Sequence, residues 1–266
     1  MPYAKGLIVD PPDEKDYQLH SIKPALQVKV KAIHTVDRPP AAVKNDAIKT
    51  PVRDQGDLGC CGGESGVAAA ESMEVVHLRD PFFPLSPLFL YRLGRINDGS
   101  DVTQDTGATL RSIMKGLADT GCCPEALWPY DPTKFAETPP DEAIADANRF
   151  RVHSYYRVND LDEVKLALAA RHVVICGIMV YDSFESSQVA RTGMVPMPDT
   201  LHETFAGGHG IALYDYDDAG WTDSNGGINF KNSWGPTWGV GGYGTLSYDF
   251  FDPARNLVSD MWVAVV

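Results

Sequence analysis

No stretch of the 266-residue chain approaches the roughly 20 consecutive apolar residues that a membrane-spanning helix needs. The first ten residues also lack the charged and apolar regions of a signal peptide. The expectation is a chain that stays in the cytoplasm or is exported by a route its sequence does not spell out. Positive charge is scarce, with 23 lysines and arginines against 36 aspartates and glutamates, a net charge of −13. Such a chain repels a phosphate backbone on average, so nucleic acid is not an expected partner and neutral or basic ones are favoured. Cysteine is sparse as well. Cys60, Cys61, Cys122, Cys123 and Cys176 form two adjacent pairs and a singleton, not the evenly paired framework of a small stapled domain. Adjacent side chains diverge, and the ligand spacing of a zinc site is absent from both pairs. No metal and no cofactor are expected, and at least one thiol should be free.

What is present is the material of a globular, loop-rich chain: 44% hydrophobic residues, 19 prolines and 24 glycines. Residues 1–33 carry the polar, proline-bearing run Asp10-Pro-Pro-Asp-Glu-Lys-Asp-Tyr17 and read as an arm or a short propeptide-like segment. Residues 34–266 read as one catalytic domain. Its first part, about 51–130, is mainly helical. A helix is predicted over 61–79, with Ala69, Met73 and Val76 on one face and Glu71 and Glu74 toward solvent. Ser86-Pro87 caps a second over 88–95, and Leu110, Ile113, Met114 and Leu117 stripe a third that Gly121 ends. The second part, about 131–266, holds one helix over 161–170, capped by Asp160 and Glu163. Strands follow over 172–180, 211–216, 228–231, 243–248 and 261–266, separated by turns rather than helices, which predicts antiparallel pairing.

A cysteine nucleophile needs a favoured thiolate, a base, and donors for the oxyanion that forms on the attacked carbonyl. Cys61 opens the first predicted helix, where unpaired N–H groups favour negative charge. Gly62, Gly63 and Gly66 weaken that helix but are expected to let a substrate backbone come close. Gln55 lies six residues upstream and offers an amide NH2 beside the Cys61 N–H. His209, in Gly207-Gly-His-Gly210, precedes a predicted strand, and Asn232 ends another. On neighbouring strands the Asn232 oxygen can accept from one ring N–H and turn the other nitrogen toward the thiol. Taken singly each residue has a plainer reading: a buried structural thiol, a surface glutamine, a turn histidine, a turn asparagine.

Together these residues carry a resemblance. Pro51-Val-Arg-Asp-Gln-Gly56, Gly59-Cys-Cys61, Gly207-Gly-His209, Phe230-Lys-Asn-Ser-Trp-Gly235, Trp238-Gly239 and Gly242-Tyr-Gly244 follow the order and spacing of the papain family, and Leu85–Gly94, Gly121–Asp131 and the arm around Asp10–Tyr17 resemble its bacterial branch. His209 stands 148 residues after Cys61, inside the family's roughly 130–150, and Asn232 171 after it, somewhat beyond. The resemblance implies an α+β, two-lobed fold with a helical left lobe, an antiparallel β right lobe and the cleft between them. It implies a peptidase that hydrolyses peptide or protein substrates through a Cys61 thioester, with His209 as base and acid, Asn232 orienting it and Gln55 serving the oxyanion. Gly107 and Gly208 would line the substrate, and Trp234 would cover the His209–Asn232 contact.

The chain departs from the pattern around the nucleophile. The family reads C-G-[SA]-C-[WY], where this chain has Leu58-Gly-Cys-Cys-Gly62. Cys60 thereby becomes a second candidate nucleophile, one residue short of the required distance from Gln55. Glu64 replaces an aromatic residue, and a carboxylate one turn from the thiol is expected to raise the thiol's pKa if it faces the sulfur. Two other readings use the same geometry: an acyltransferase that passes the thioester to an amine or sugar, and a silenced module that only binds peptides.

Overall fold

The computed structural model describes residues 3–21, 38–78, 82–220 and 226–265. The longest helix, α1 (Cys61–Leu78), forms where predicted as far as Leu78; Arg79 lies outside the described residues. It does not keep a solvent face over its first three turns, because it runs between the other two main helices on one side and the sheet on the other. Glu71, expected outside, is therefore fully buried and paired with Arg53, whose guanidinium reaches both carboxylate oxygens at 2.6 and 3.2 Å. Helix α2 (Pro87–Asn97) starts at the predicted Ser86 cap, whose Oγ accepts from the Phe89 N–H at 3.2 Å. Helix α3 (Leu110–Asp119) presents Ile113, Met114 and Leu117 to the core, and Gly121 follows it with φ 92°. The glycines of α1 serve this packing. A Cβ at Gly66 would meet Ile113 at 2.6 Å and Leu90 at 2.7 Å, and one at Gly63 the Pro87 carbonyl oxygen at 2.5 Å. Gly62 likewise abuts Ile113, so all three admit neighbouring helices rather than a substrate.

The other lobe is a sheet in the order β4 (Ser154–Arg157), β9 (Val258–Val265), β5 (Val174–Tyr181), β6 (Phe205–Asp217), β7 (Gly227–Lys231) and β8 (Tyr243–Ser247), antiparallel throughout. The short β2 (Ala42–Val43) pairs with β6. Val174, Cys176, Ile178, Ile211, Leu213, Phe230 and Val263 form a core of their own, separate from that of the helical lobe. Several strands differ from expectation, the short β2 among them. β6 begins at Phe205, so His209 sits inside the strand, opposite Ile178, because the ladder to β5 satisfies the backbone of a glycine run that alone favours a turn. β4 was not predicted at all. Helix α4 (Asp141–Asp146) precedes the sheet. Helix α5 (Leu161–Ala169) opens on Asp160, which accepts from the Glu163 N–H at 2.8 Å, and α6 (Ser187–Thr192) follows β5.

The N-terminal arm is part of this architecture. Its strand β1 (Leu7–Ile8) pairs in parallel with β3 (Ala108–Thr109), at the border of the helical lobe. Asp10 then accepts from the Trp262 indole N–H at 2.8 Å, the Arg111 amide at 3.1 Å and Arg157 at 3.1 Å. Asp16 takes Arg111 in a two-point pair at 2.7 and 2.8 Å. Leu19 is fully buried in the β-lobe core, a burial that contributes about 1.5–3 kcal/mol. The root of the arm is thus anchored, and the expected boundary near residue 33 lies outside the described residues.

Candidate active site

The site forms where the start of α1 meets β6 and the end of β7. Cys61 is the first residue of α1, and a Cβ on Gly210, next to His209, would lie 3.3 Å from the Cys61 backbone. His209 Nε2 is 2.8 Å from Asn232 Oδ1. That oxygen also accepts from the Ser233 N–H at 2.8 Å, which fixes the amide's orientation. The ring must then carry its proton on Nε2, leaving Nδ1 as the basic nitrogen; among the described residues Nδ1 has no hydrogen-bond partner. Trp234 covers the pair, with ring centroids 4.9 Å from His209. Gln55 is fully buried and held by Ser233, whose hydroxyl donates to Oε1 at 2.5 Å.

The arm fills the cleft over these groups. Tyr3 stacks on Trp234 at 4.7 Å and donates its hydroxyl to the Trp234 carbonyl at 3.0 Å. Gln55 Nε2 donates to the Ala4 carbonyl at 3.1 Å, so the expected oxyanion donor already holds an arm oxygen. Lys5 pairs with Glu185. Gly6 accepts from the Ala108 N–H at 2.8 Å, beside Gly107, where a Cβ would come 2.2 Å from the Gly6 oxygen. Leu7 packs against Gly208 and Gly177. The expected substrate-lining residues Gly107, Gly208 and Trp234 are all in contact with the arm. With it seated, Cys61 and His209 are both 0% exposed.

A family model described as papain family cysteine protease matches residues 40–252. The chain belongs to the papain family. Over 220 residues it is 33% identical to an uncharacterized peptidase C1-like protein of Acanthamoeba polyphaga mimivirus, covering 79% of this chain and 68% of the viral one. Its structure is similar to xylellain, a cysteine protease from Xylella fastidiosa, at 27% identity and a TM-score of 0.81, covering 98% of this chain and 95% of xylellain. The Amb a 11 cysteine protease of ragweed pollen, in its proform, shares the fold at 22% identity and a TM-score of 0.65, over 88% of this chain and 67% of that one. The α+β two-lobed architecture and the cysteine peptidase activity expected from the sequence are those of this papain-family protein.

Within the papain frame, the electrostatics of the closed site run against the expected thiolate. Burial raises the Cys61 thiol above its ordinary value, and the amide N–H groups of Gly210, Gly6, Gly62 and Cys61 itself offset this only partly. Burial likewise lowers His209 to about 4, helped by the Lys5 charge and opposed by the Asn232 hydrogen bond. Both groups are held neutral while the arm is seated. The Cys60 thiol points into the helical core, 3.6 Å from the Pro87 carbonyl, and burial raises its pKa strongly. Glu64 does not face the Cys61 sulfur. Its side chain turns to a small cavity shared with Arg53, Lys231 and Asn232. Sequence reasoning passed over Asp105, which accepts from the Gly59 N–H and the Tyr91 hydroxyl and so fixes the loop before Cys61. It also passed over Glu185. Lone acidic residues carry no local pattern, and only the fold brings them to the cleft.

Proposed function

We propose that Cys61 is the nucleophile of this cysteine protease, with His209 as its base and acid, Asn232 orienting the ring, and Gln55 with the Cys61 N–H stabilising the oxyanion. We further propose that residues 3–10 are an inhibitor the chain carries for its own cleft. The observation that carries both is the single path of the arm: it meets Trp234, Gln55, Gly107 and Gly208 in turn while burying Cys61 and His209. An extended peptide substrate would use the same path, so substrate and arm exclude one another. In the open form the thiol attacks the carbonyl carbon, Nδ1 of His209 takes the thiol proton and gives it to the leaving amine, and water then hydrolyses the thioester.

The test is alkylation of Cys61 by a thiol-reactive epoxide, with cleavage of a peptide library, in wild type and Cys61→Ala. One labelled cysteine and Cys61-dependent cleavage are expected, both slow until the arm is displaced. Cleavage surviving in Cys61→Ala would sink the assignment, and labelling at the rate of a free thiol would sink the inhibitory role.

A further inference from the structure

We infer that Glu64 is a positioning residue for the His209–Asn232 pair and acts through one water held in the cavity behind them. This rests on the roles proposed above for His209 and Asn232. The cavity lies between α1 and strands β6 and β7, and its walls include Glu64, Asn232, Lys231, Arg53 and Ala68. About 10 Å³ is open to the centre of a water molecule, which is room for one. Two buried polar atoms of its walls have no hydrogen-bond partner among the described residues: Glu64 Oε1, an acceptor, and Asn232 Nδ2, a donor. Left so, each has lost its hydration with nothing in exchange. One water that accepts from Asn232 Nδ2 and donates to Glu64 Oε1 satisfies both.

The consequence is directional. Asn232 can serve His209 only with its oxygen toward Nε2, and an acceptor oxygen on the far side favours that orientation because it draws the NH2 group, through the water, to itself. Burial pushes the Glu64 carboxyl up to about 8, with Arg53 and Lys231 drawing it down and Glu71 and Glu125 raising it, so near neutral pH it is mainly the neutral acid, which still accepts through one oxygen. Lys231, whose Nζ donates to Thr50 Oγ1 at 2.7 Å, closes the cavity's other side. The position therefore has a use for Glu64 that an aromatic residue could not fill.

The test follows solvent exchange of the His209 ring Nε2–H by nitrogen-15 NMR on the full chain, with kcat and KM for a peptide beside it. In Glu64→Leu the ring proton should exchange at least about tenfold faster, and kcat should fall about tenfold with KM unchanged. Glu64→Gln, which keeps an acceptor, should hold both near wild type. Ala68→Val, which fills the cavity and leaves Glu64 in place, should repeat the Leu result and decides the matter if Glu64→Leu does not fold. Unchanged exchange and kcat in Glu64→Leu or Ala68→Val overturns the inference, as does a Glu64→Gln variant as impaired as Leu. Loss of Cys61-dependent turnover in the wild type would instead count against the proposed machinery, a separate readout.

Discussion

Gly6→Ala should open the cleft without altering any of the proposed catalytic side chains. A Cβ at residue 6 would stand 1.8 Å from the Gly59 carbonyl oxygen and 2.3 Å from its carbon. Gly59 cannot yield, since its N–H is tied to Asp105 and Cys60 and Cys61 follow it directly. The arm must therefore retreat, by at least about 1.2 Å to reach the 3.0 Å below which real Cβ contacts essentially never fall. A shift of that size breaks the bond from the Ala108 N–H to the Gly6 oxygen and strains that from Gln55 to the Ala4 oxygen. At about 0.5–1.5 kcal/mol net for each, the closed state loses about 1–3 kcal/mol, or roughly 5- to 150-fold in the closed-to-open ratio. The assay is the second-order rate of iodoacetamide alkylation at Cys61, read by mass spectrometry at pH 7 with Cys61→Ala as blank. The rate should rise by that factor while the main thermal transition stays put, because the cores of both lobes are untouched. Equal rates in Gly6→Ala and wild type would refute the reasoning.

Three further outcomes are expected. In the wild type the His209 ring should stay neutral on acidification until about pH 4, whereas in Gly6→Ala it should titrate nearer the ordinary value, about 6.5, by histidine NMR. A depressed pKa in the closed form means that the open form binds the proton first, so acid between about 6.5 and 4 favours release of the arm through this residue; Asp10, whose carboxyl burial raises, opposes it toward the lower end. Cys60→Ser should keep single labelling and peptide cleavage, measured as for wild type, since its thiol lies in the helical core; loss of labelling would return Cys60 to candidacy. Arg53→Met leaves the fully buried Glu71 carboxylate without its partner and should cost about 3–5 kcal/mol in urea unfolding. A loss below about 1 kcal/mol would refute the pairing argument.

The sequence made the site legible further than the fold around it. Gln55, Cys61, His209 and Asn232 could be named because their chemistry is read from residue type and order. Ser86, Asp160 and the stripe of α3 were found because caps and helical periodicity are local. The errors are all tertiary. The period of α1 puts Glu71 outside because it shows only which residues share a face, not that both faces are covered. The glycines at 62, 63 and 66 suggest substrate access from sequence, but their neighbours are Ile113, Leu90 and Pro87, which lie 24 to 51 residues away. β6 was cut short at its glycine run because a turn and a strand whose neighbours supply the ladder look alike locally. The path of the arm is the extreme case: its contacts with Gln55, Ala108, Glu185 and Trp234 span 51 to 231 residues, and no window of sequence contains them.

Why the chain should not cleave its own arm follows from what faces the sulfur. A thiolate reacts when a carbonyl carbon stands before it and the oxygen of that same carbonyl lies in the donors. Here the Gln55 amide holds the Ala4 oxygen, while the group aimed at Cys61 is the Gly6 N–H, two residues further on. The nucleophile meets a hydrogen-bond donor, not an electrophile. The same seating withdraws both groups from water, which pushes the thiol up and the imidazole down and removes the ion pair that attack requires. Occupying the cleft, presenting the wrong atom and neutralising the pair are therefore one event, and a peptide that displaces residues 3–10 has to reverse all three at once.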